Sequence, residues 1–558
     1  MSNLEHAVQP RYGSVQSNMV YWILVIAGLL TFFVNALVDN AVVFHDEYVY
    51  KAASDATLSA AELYTKGAIE YIPNRLFILI YKLASYGGQN FYVAAQFLNV
   101  VFWTGGLILV AKLAQILGLQ GKRLIIFSVL AALLPFSIYT KYFMPEAMFF
   151  CIFALSAYLL FKGITSGIAE RVFVAGLAAG MAYYVKPHAL IFAGVTVLFL
   201  ILARAEIVGR WRMAGMYAGG CVLMILIGTA LIDKPESHAR LGVYDQMVKG
   251  MMATSATMLH DPKATLHALG KVGIGHVISL VSIWGMALAS AVIATYGILR
   301  GREVETAMRP VRLFNMWLMF VLCALVIVVI TFTVLVGEVG RIHSRYYCFV
   351  YPFLLLSLML YQPTQHRRTT KVVVTVFAAG AGLAVLALPL YSAILNISLV
   401  SDSPELGFAF FPRTFVIGAV LLLVASQGWM VWRKPVAACL VLMMLFSASQ
   451  YYVREAQGHM FRGPYTDGKD AIAVEQVLGS EALRAALVIA DSRDALSKFL
   501  FNLTVVPTVT IRPFDQTDQL LRDYPVAPNY LFLSDKLEQV PGLVCGKLGK
   551  HVLRCYKQ

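Results

Sequence analysis

Long apolar runs separated by short polar connections dominate the chain. The first runs from Met19 to Val38. Others lie near 91–117, 124–140, 145–161, 172–185, 187–203, 213–232, 272–299, 313–336, 346–361, 372–390, 414–432 and 436–452. A helix needs about 20 apolar residues to cross the hydrocarbon of a bilayer, so the pattern predicts about thirteen transmembrane helices. The Met19 run is longer than a signal-peptide core and no small-residue cleavage site follows it, so it reads as a retained anchor. After residue 452 the pattern changes. Leu487–Ala490, Thr504–Ile511 and Tyr530–Leu533 read as short strands, and Arg493–Leu503 as a helix that Asp491 or Ser492 can cap. The expected fold is therefore an all-α polytopic membrane region, residues 1–452, followed by a small α/β domain at 453–558.

The charges orient this layout. Lys122, Arg123, Lys162, Arg171, Arg204, Arg210, Arg212, Arg300, Arg302, Arg309, Arg312, Arg367, Arg368, Lys371, Arg433 and Lys434 fall in alternate connections. The remaining connections carry most of the acids. Cytoplasmic loops are enriched in Lys and Arg, which puts the N-terminus in the cytoplasm and, with an odd number of spans, the tail outside. Short loops fit a bacterial inner membrane with a periplasmic tail. Cys545 and Cys555, either side of a hairpin-like stretch around Gly549, could form a disulfide in such an oxidising compartment or remain two thiols. Composition agrees with a membrane protein: 59% of residues are hydrophobic and 14% charged, against about 25% charged in soluble domains. The net charge of +14 is scattered through short loops. It reads as loop charge facing anionic lipid rather than a nucleic-acid surface.

Candidate chemistry gathers on the acid-rich side. A long first loop, 39–90, opens with Asp46-Glu47 between Phe44, Tyr48 and Tyr50, and is followed by amphipathic stretches at Ala53–Ile69 and Pro73–Ser85. These stretches are too short to span and are expected to lie in the membrane interface. The acidic pair could bind a divalent cation, serve as a base, or simply be solvated. Lys141 and Glu146 flank the mouth of one span, Lys186 and His188 that of another, and Arg341, His343, Arg345 and Tyr346 that of a third. Lysines on this side run against the positive-inside bias. They either snorkel to headgroups or serve a site. Carboxylates at one end of a cavity and cations at the other would suit displacement of a phosphate leaving group by a hydroxyl: the carboxylate takes the proton and the cations stabilise the phosphate.

At these motifs the sequence resembles the GT-C superfamily of integral-membrane glycosyltransferases, in the branch of lipid A aminoarabinose transferases and protein O-mannosyltransferases. Asp46-Glu47-x-x-Tyr50 matches the branch's Asp-Glu-x-x-Tyr signature. Met144-Pro145-Glu146, Lys186-Pro187 and Arg345-Tyr346 with Tyr351-Pro352 resemble its later elements. His188 departs from it, since the aminoarabinose enzymes usually carry glycine there. The resemblance implies an inverting enzyme with a polyprenyl-phosphate-linked sugar donor and a lipid, glycan or protein acceptor. It implies Asp46 as base and Glu47 as its helper. Lys186, Arg341, Arg345 and Lys141 would meet the donor phosphate, and Tyr50, Glu146, His188, His343 and Tyr346 would line the cavity. No cofactor or metal is expected, although Asp46-Glu47 could hold one divalent ion. A donor carried by the membrane also fits a site facing away from cytosolic nucleotide sugars. Two other classes compete: a polymerase or ligase using a lipid diphosphate, and a lipid or sugar transporter. The clustering of charges at one membrane edge, with no visible repeat, argues against the transporter.

Overall fold

A computed structural model describes residues 14–37, 46–54, 75–203, 206–232, 261–299, 308–335 and 342–360, short stretches between 375 and 451, and most of 469–556. The helices are α1 (Ser14–Leu37), α2 (Asp46–Ala53), α3 (Arg75–Ser85), α4 (Phe91–Ile116), α5 (Gly121–Ala132), α6 (Glu146–Ser166), α7 (Ala169–Tyr183), α8 (Ala189–Leu202), α9 (Arg210–Ile232), α10 (Pro262–Leu299), α11 (Arg309–Leu335) and α12 (Tyr351–Leu360). Among the described residues, six helices are long and apolar enough to cross a membrane: α1, α4, α6, α9, α10 and α11. The apolar segments Ala189–Leu202 and Cys348–Leu360 are shorter. Exposed Trp22, Leu30, Phe33, Leu226, Leu231 and Ile327 are the side chains such helices turn toward lipid. The protein is a helical membrane protein with a small sheet at its C-terminal end.

Two expected spans differ in detail. The run at 124–140 is not one helix: α5 stops at Ala132, and Pro135–Thr140 forms a 3-10 segment. Pro135 lacks the amide hydrogen that a continuing helix needs there. The run at 346–361 begins with 3-10 turns at Ser344–Tyr346 and Cys348–Val350, so α12 starts only at Tyr351. The amphipathic stretch 73–85 is α3, which buries Phe77, Ile78, Tyr81 and Ala84 while Leu79 and Leu83 stay exposed. That division is the one an interfacial helix makes. The expected helix at 53–69, the segment 233–260, and most of the runs at 372–390, 414–432 and 436–452 lie outside the described residues.

Helix α7 meets α9 without intervening side chains. A Cβ added to Gly176 would fall 2.1 Å from the Tyr217 carbonyl oxygen, and one on Gly220 would fall 2.2 Å from that of Phe173. Gly176 and Gly180 are one turn apart, the small-xxx-small spacing that lets membrane helices approach this closely. Beyond the end of α7, the Tyr184 hydroxyl donates to the Ile225 carbonyl at 2.5 Å and lies 3.0 Å from the Thr229 hydroxyl. The residues just before Lys186 are thereby tied to α9.

The described part of the tail contains α13 (Lys469–Arg484), β1 (Leu487–Ala490), α14 (Arg493–Phe501), β2 (Thr508–Ile511), β3 (Tyr530–Leu533), β4 (Val544–Lys547) and β5 (Val552–Tyr556). The sheet order is β2-β1-β3-β5-β4; the first three strands are parallel, and β5 is antiparallel to β3 and β4. Cys545 stands opposite Cys555 across the β4–β5 hairpin and is joined to it as a disulfide.

Candidate active site at one end of the helical bundle

The site is built from connections rather than helix interiors. The connection 141–146, between the 3-10 segment and α6, is fixed by polar side chains of α1 and α4. Asn35 donates to the Thr140 hydroxyl at 2.8 Å. Tyr92 and Gln96 donate to the Lys141 carbonyl at 2.5 and 3.2 Å, and Asn99 to the Tyr142 carbonyl at 2.6 Å. Each would be costly in an apolar helix unless paired, and each finds its partner between Thr140 and Tyr142.

Helix α2 brings Glu47 to the same place. Glu47 is fully buried, and its carboxylate accepts a hydrogen bond from the Phe143 amide at 3.0 Å. Tyr50, one turn on, stacks edge-on against Phe77 of α3 at 5.4 Å, and Phe77 lies 5.2 Å from Phe143. The Leu76 amide donates to the Tyr184 carbonyl at 3.0 Å, which fastens α3 to the connection carrying Lys186. Asp46 opens α2; only its backbone is described. Lys141 is buried beside this group.

The second group centres on Tyr346. Lys186 donates to Glu146 at 2.8 Å, and its side chain is 9% exposed against 3% for the carboxylate. The same ammonium lies 5.4 Å from the centre of the Tyr346 ring. The Arg345 guanidinium lies 5.1 Å from that ring and donates to the Tyr346 hydroxyl at 3.3 Å. Two cations share one aromatic face-bearing group, each gaining about 0.5–2 kcal/mol from it. His343 and His188 complete the surround at 5.7 and 6.3 Å from the ring. The turn is held from behind: the Cys348 thiol donates to the Arg345 carbonyl at 3.0 Å, and His276 pairs with the Tyr347 hydroxyl at 2.7 Å. Glu146 sits in the first turn of α6, where the helix dipole favours a carboxylate.

His188 lies in the connection before α8, packed on Phe149, Phe192 and Tyr346. Its Nε2 is buried and has no hydrogen-bond partner among the described residues, and the same holds for Glu146 Oε2. Among the described residues, no three His, Cys, Asp or Glu side chains converge as a metal site would need.

The structure thus joins Lys186, Glu146, His188, Arg345, Tyr346 and His343 in one group. It places Glu47, Tyr50 and Lys141 in a neighbouring group, and the connection 141–146 links the two. Arg341 lies outside the described residues. Sequence reasoning overlooked Asn35, Gln96, Asn99 and His276; a polar side chain inside an apolar run was the available signal. At the opposite end of the bundle, Glu206 lies 3.3 Å from Arg309 and 3.6 Å from Arg312.

The fold is shared with solved structures of ArnT. Over nearly its whole length the chain is similar to the crystal structure of ArnT from Cupriavidus metallidurans bound to undecaprenyl phosphate. The TM-score is 0.57 and the identity 14%, covering 96% of this chain and 97% of the other. ArnT from Cupriavidus metallidurans in the apo state is similar with a TM-score of 0.55 at 15% identity, covering 97% of this chain and 98% of the other. No family model matches the chain, and no curated protein matches it in sequence.

Proposed function

We propose that this chain is a membrane glycosyltransferase that moves a sugar from a polyprenyl-phosphate carrier to a hydroxyl of a lipid, glycan or protein. The reaction takes place on the periplasmic face of a bacterial inner membrane. The observation that carries the reading is the meeting of Lys186 and Arg345 around Tyr346, beside Glu146 and within reach of the connection that Glu47 braces. Lys186 and Arg345 are both largely buried, and two cations gathered at a membrane edge suit the headgroup of an anionic lipid. The fold shared with an ArnT structure that holds undecaprenyl phosphate supports a lipid-phosphate anion.

In this mechanism the Asp46 carboxylate removes the acceptor proton while the acceptor oxygen attacks the anomeric carbon from the face opposite the phosphate. The bond from that carbon to the phosphate oxygen breaks, and configuration inverts. Lys186 and Arg345 stabilise the charge that gathers on the departing polyprenyl phosphate, with Arg341 and Lys141 as further cations of the site. A cation about 4 Å from the developing charge, at an effective dielectric near 20, contributes up to roughly 4 kcal/mol. Glu47 holds the Phe143 amide and orients α2. Residues 1–452 form the catalytic region and 453–558 the periplasmic domain.

The test supplies purified protein with a radiolabelled polyprenyl-phosphate sugar and a crude envelope acceptor extract. Label is expected to leave the lipid with wild type. With Asp46→Asn it should stay on the lipid while donor binding persists. Wild-type turnover in that variant removes Asp46 from the base role. Label that wild type moves across the bilayer without leaving its lipid identifies a transporter instead.

A further inference from the structure

Helix α2 has eight residues, Asp46–Ala53, well below the length at which a helix holds itself together in water. Its position is therefore set by what it touches, and it is gripped at both ends. In its first turn Glu47 accepts from the Phe143 amide at 3.0 Å. In its last turn Lys51 donates from Nζ to the Leu503 carbonyl oxygen at 2.8 Å, a contact between residues 452 apart in sequence. The Lys51 ammonium also lies 5.6 Å from the centre of the Phe91 ring, and Phe91 stacks edge-on against Phe143 at 5.0 Å. Glu47 and Lys51 are four residues apart and so occupy one face of the helix. The two contacts fix its rotation as well as its place.

The far side of the Lys51 contact is anchored in a packed core. Leu503 lies two residues beyond α14, and its amide donates to the Leu500 carbonyl at 3.2 Å. Phe499, Leu500 and Leu503 are buried in the core of the sheet domain with Val488, Leu531 and Val552. A carbonyl at the C-terminal end of a helix carries the negative end of its dipole, where a cation is favoured. Lys51 thus ties the segment bearing the acidic pair to the tail domain.

We infer that the C-terminal α/β domain is a clasp on the base-bearing helix, and that Lys51 is a positioning residue. By holding the Leu503 carbonyl it sets the aim of Asp46 and Glu47 without contacting substrate. The inference rests on the proposed role of α2 in proton removal. It gives the tail a part in turnover, because a shift of about 1 Å in a reacting group can cost a hundredfold in rate.

The experiment uses full-length protein in lipid nanodiscs and compares wild type, Lys51→Met and Lys51→Arg. Lys51→Met should lower kcat by about tenfold to a hundredfold with KM for the lipid-linked donor unchanged, and should lower hydrogen-exchange protection across residues 46–53. Lys51→Arg keeps both a cationic donor for the Leu503 carbonyl and a cation for the Phe91 ring, and should return kcat to within about threefold of wild type. Wild-type kcat or wild-type protection of α2 in Lys51→Met overturns the inference. A rise in donor KM that arginine does not rescue overturns it too, because Lys51 would then be contacting the donor. If wild type transfers no sugar, the proposed function fails, and the exchange measurement alone still decides whether the clasp exists.

Discussion

Removing the charge of Lys186 without removing that of Glu146 should destabilise the protein far more than removing both. At 2.8 Å and an effective dielectric near 20, the two charges attract by about 6 kcal/mol. Desolvating each ion costs several kcal/mol, so the intact pair contributes little net. Lys186→Met upsets that balance. It leaves a carboxylate that is 3% exposed and whose Oε2 already has no partner among the described residues. An orphaned buried charge costs about 3–5 kcal/mol. The α6 dipole returns up to roughly 1 kcal/mol of that, so a loss near 3 kcal/mol is expected. Glu146→Gln is milder, because Lys186 keeps the Tyr346 ring. The double variant Lys186→Met/Glu146→Gln should recover at least half of the loss in Lys186→Met. Reversible unfolding in mixed micelles, followed by circular dichroism over the four-variant cycle, measures the coupling. A coupling energy under about 0.5 kcal/mol, the level of an exposed pair, would refute the claim that this ion pair is buried and mutually dependent.

Two further outcomes follow from the same geometry. Glu146→Gln should free Lys186 for an incoming anion and tighten binding of sugar-free polyprenyl phosphate several-fold, as read by tryptophan quenching; weaker binding would show that Glu146 does not compete for Lys186. Gly220→Ala puts a methyl group 2.2 Å from the Phe173 carbonyl oxygen. Overpacking of this kind costs about 1–3 kcal/mol, so its melting temperature in detergent should drop clearly, while Gly219→Ala, with open space at its Cβ, should melt as wild type does.

The helices were legible because a bilayer imposes one length and one polarity on everything that crosses it. Runs such as 91–117 and 313–336 reappear as α4 and α11 with ends shifted by a few residues. The same rule misread 124–140, because hydropathy does not register that Pro135 turns the chain into a 3-10 segment. That error matters to the site, since the segment delivers Lys141 to a connection instead of a helix end. The candidate residues were legible for an energetic reason. Lys186, Arg345 and Glu146 stand at positions where charge is expensive, and such positions are occupied only when a partner is present. Their mutual arrangement was not legible. Lys186 and Glu146 are 40 residues apart, and no local pattern says that Tyr346, another 160 residues along, receives the same ammonium. One side of that meeting, the connection carrying Lys186, is held against α9 through Tyr184, next to where Gly176 and Gly220 let α7 and α9 touch. A glycine in an apolar run is therefore part of what positions this site, because it lets α7 and α9 approach and so places the connection that carries Lys186.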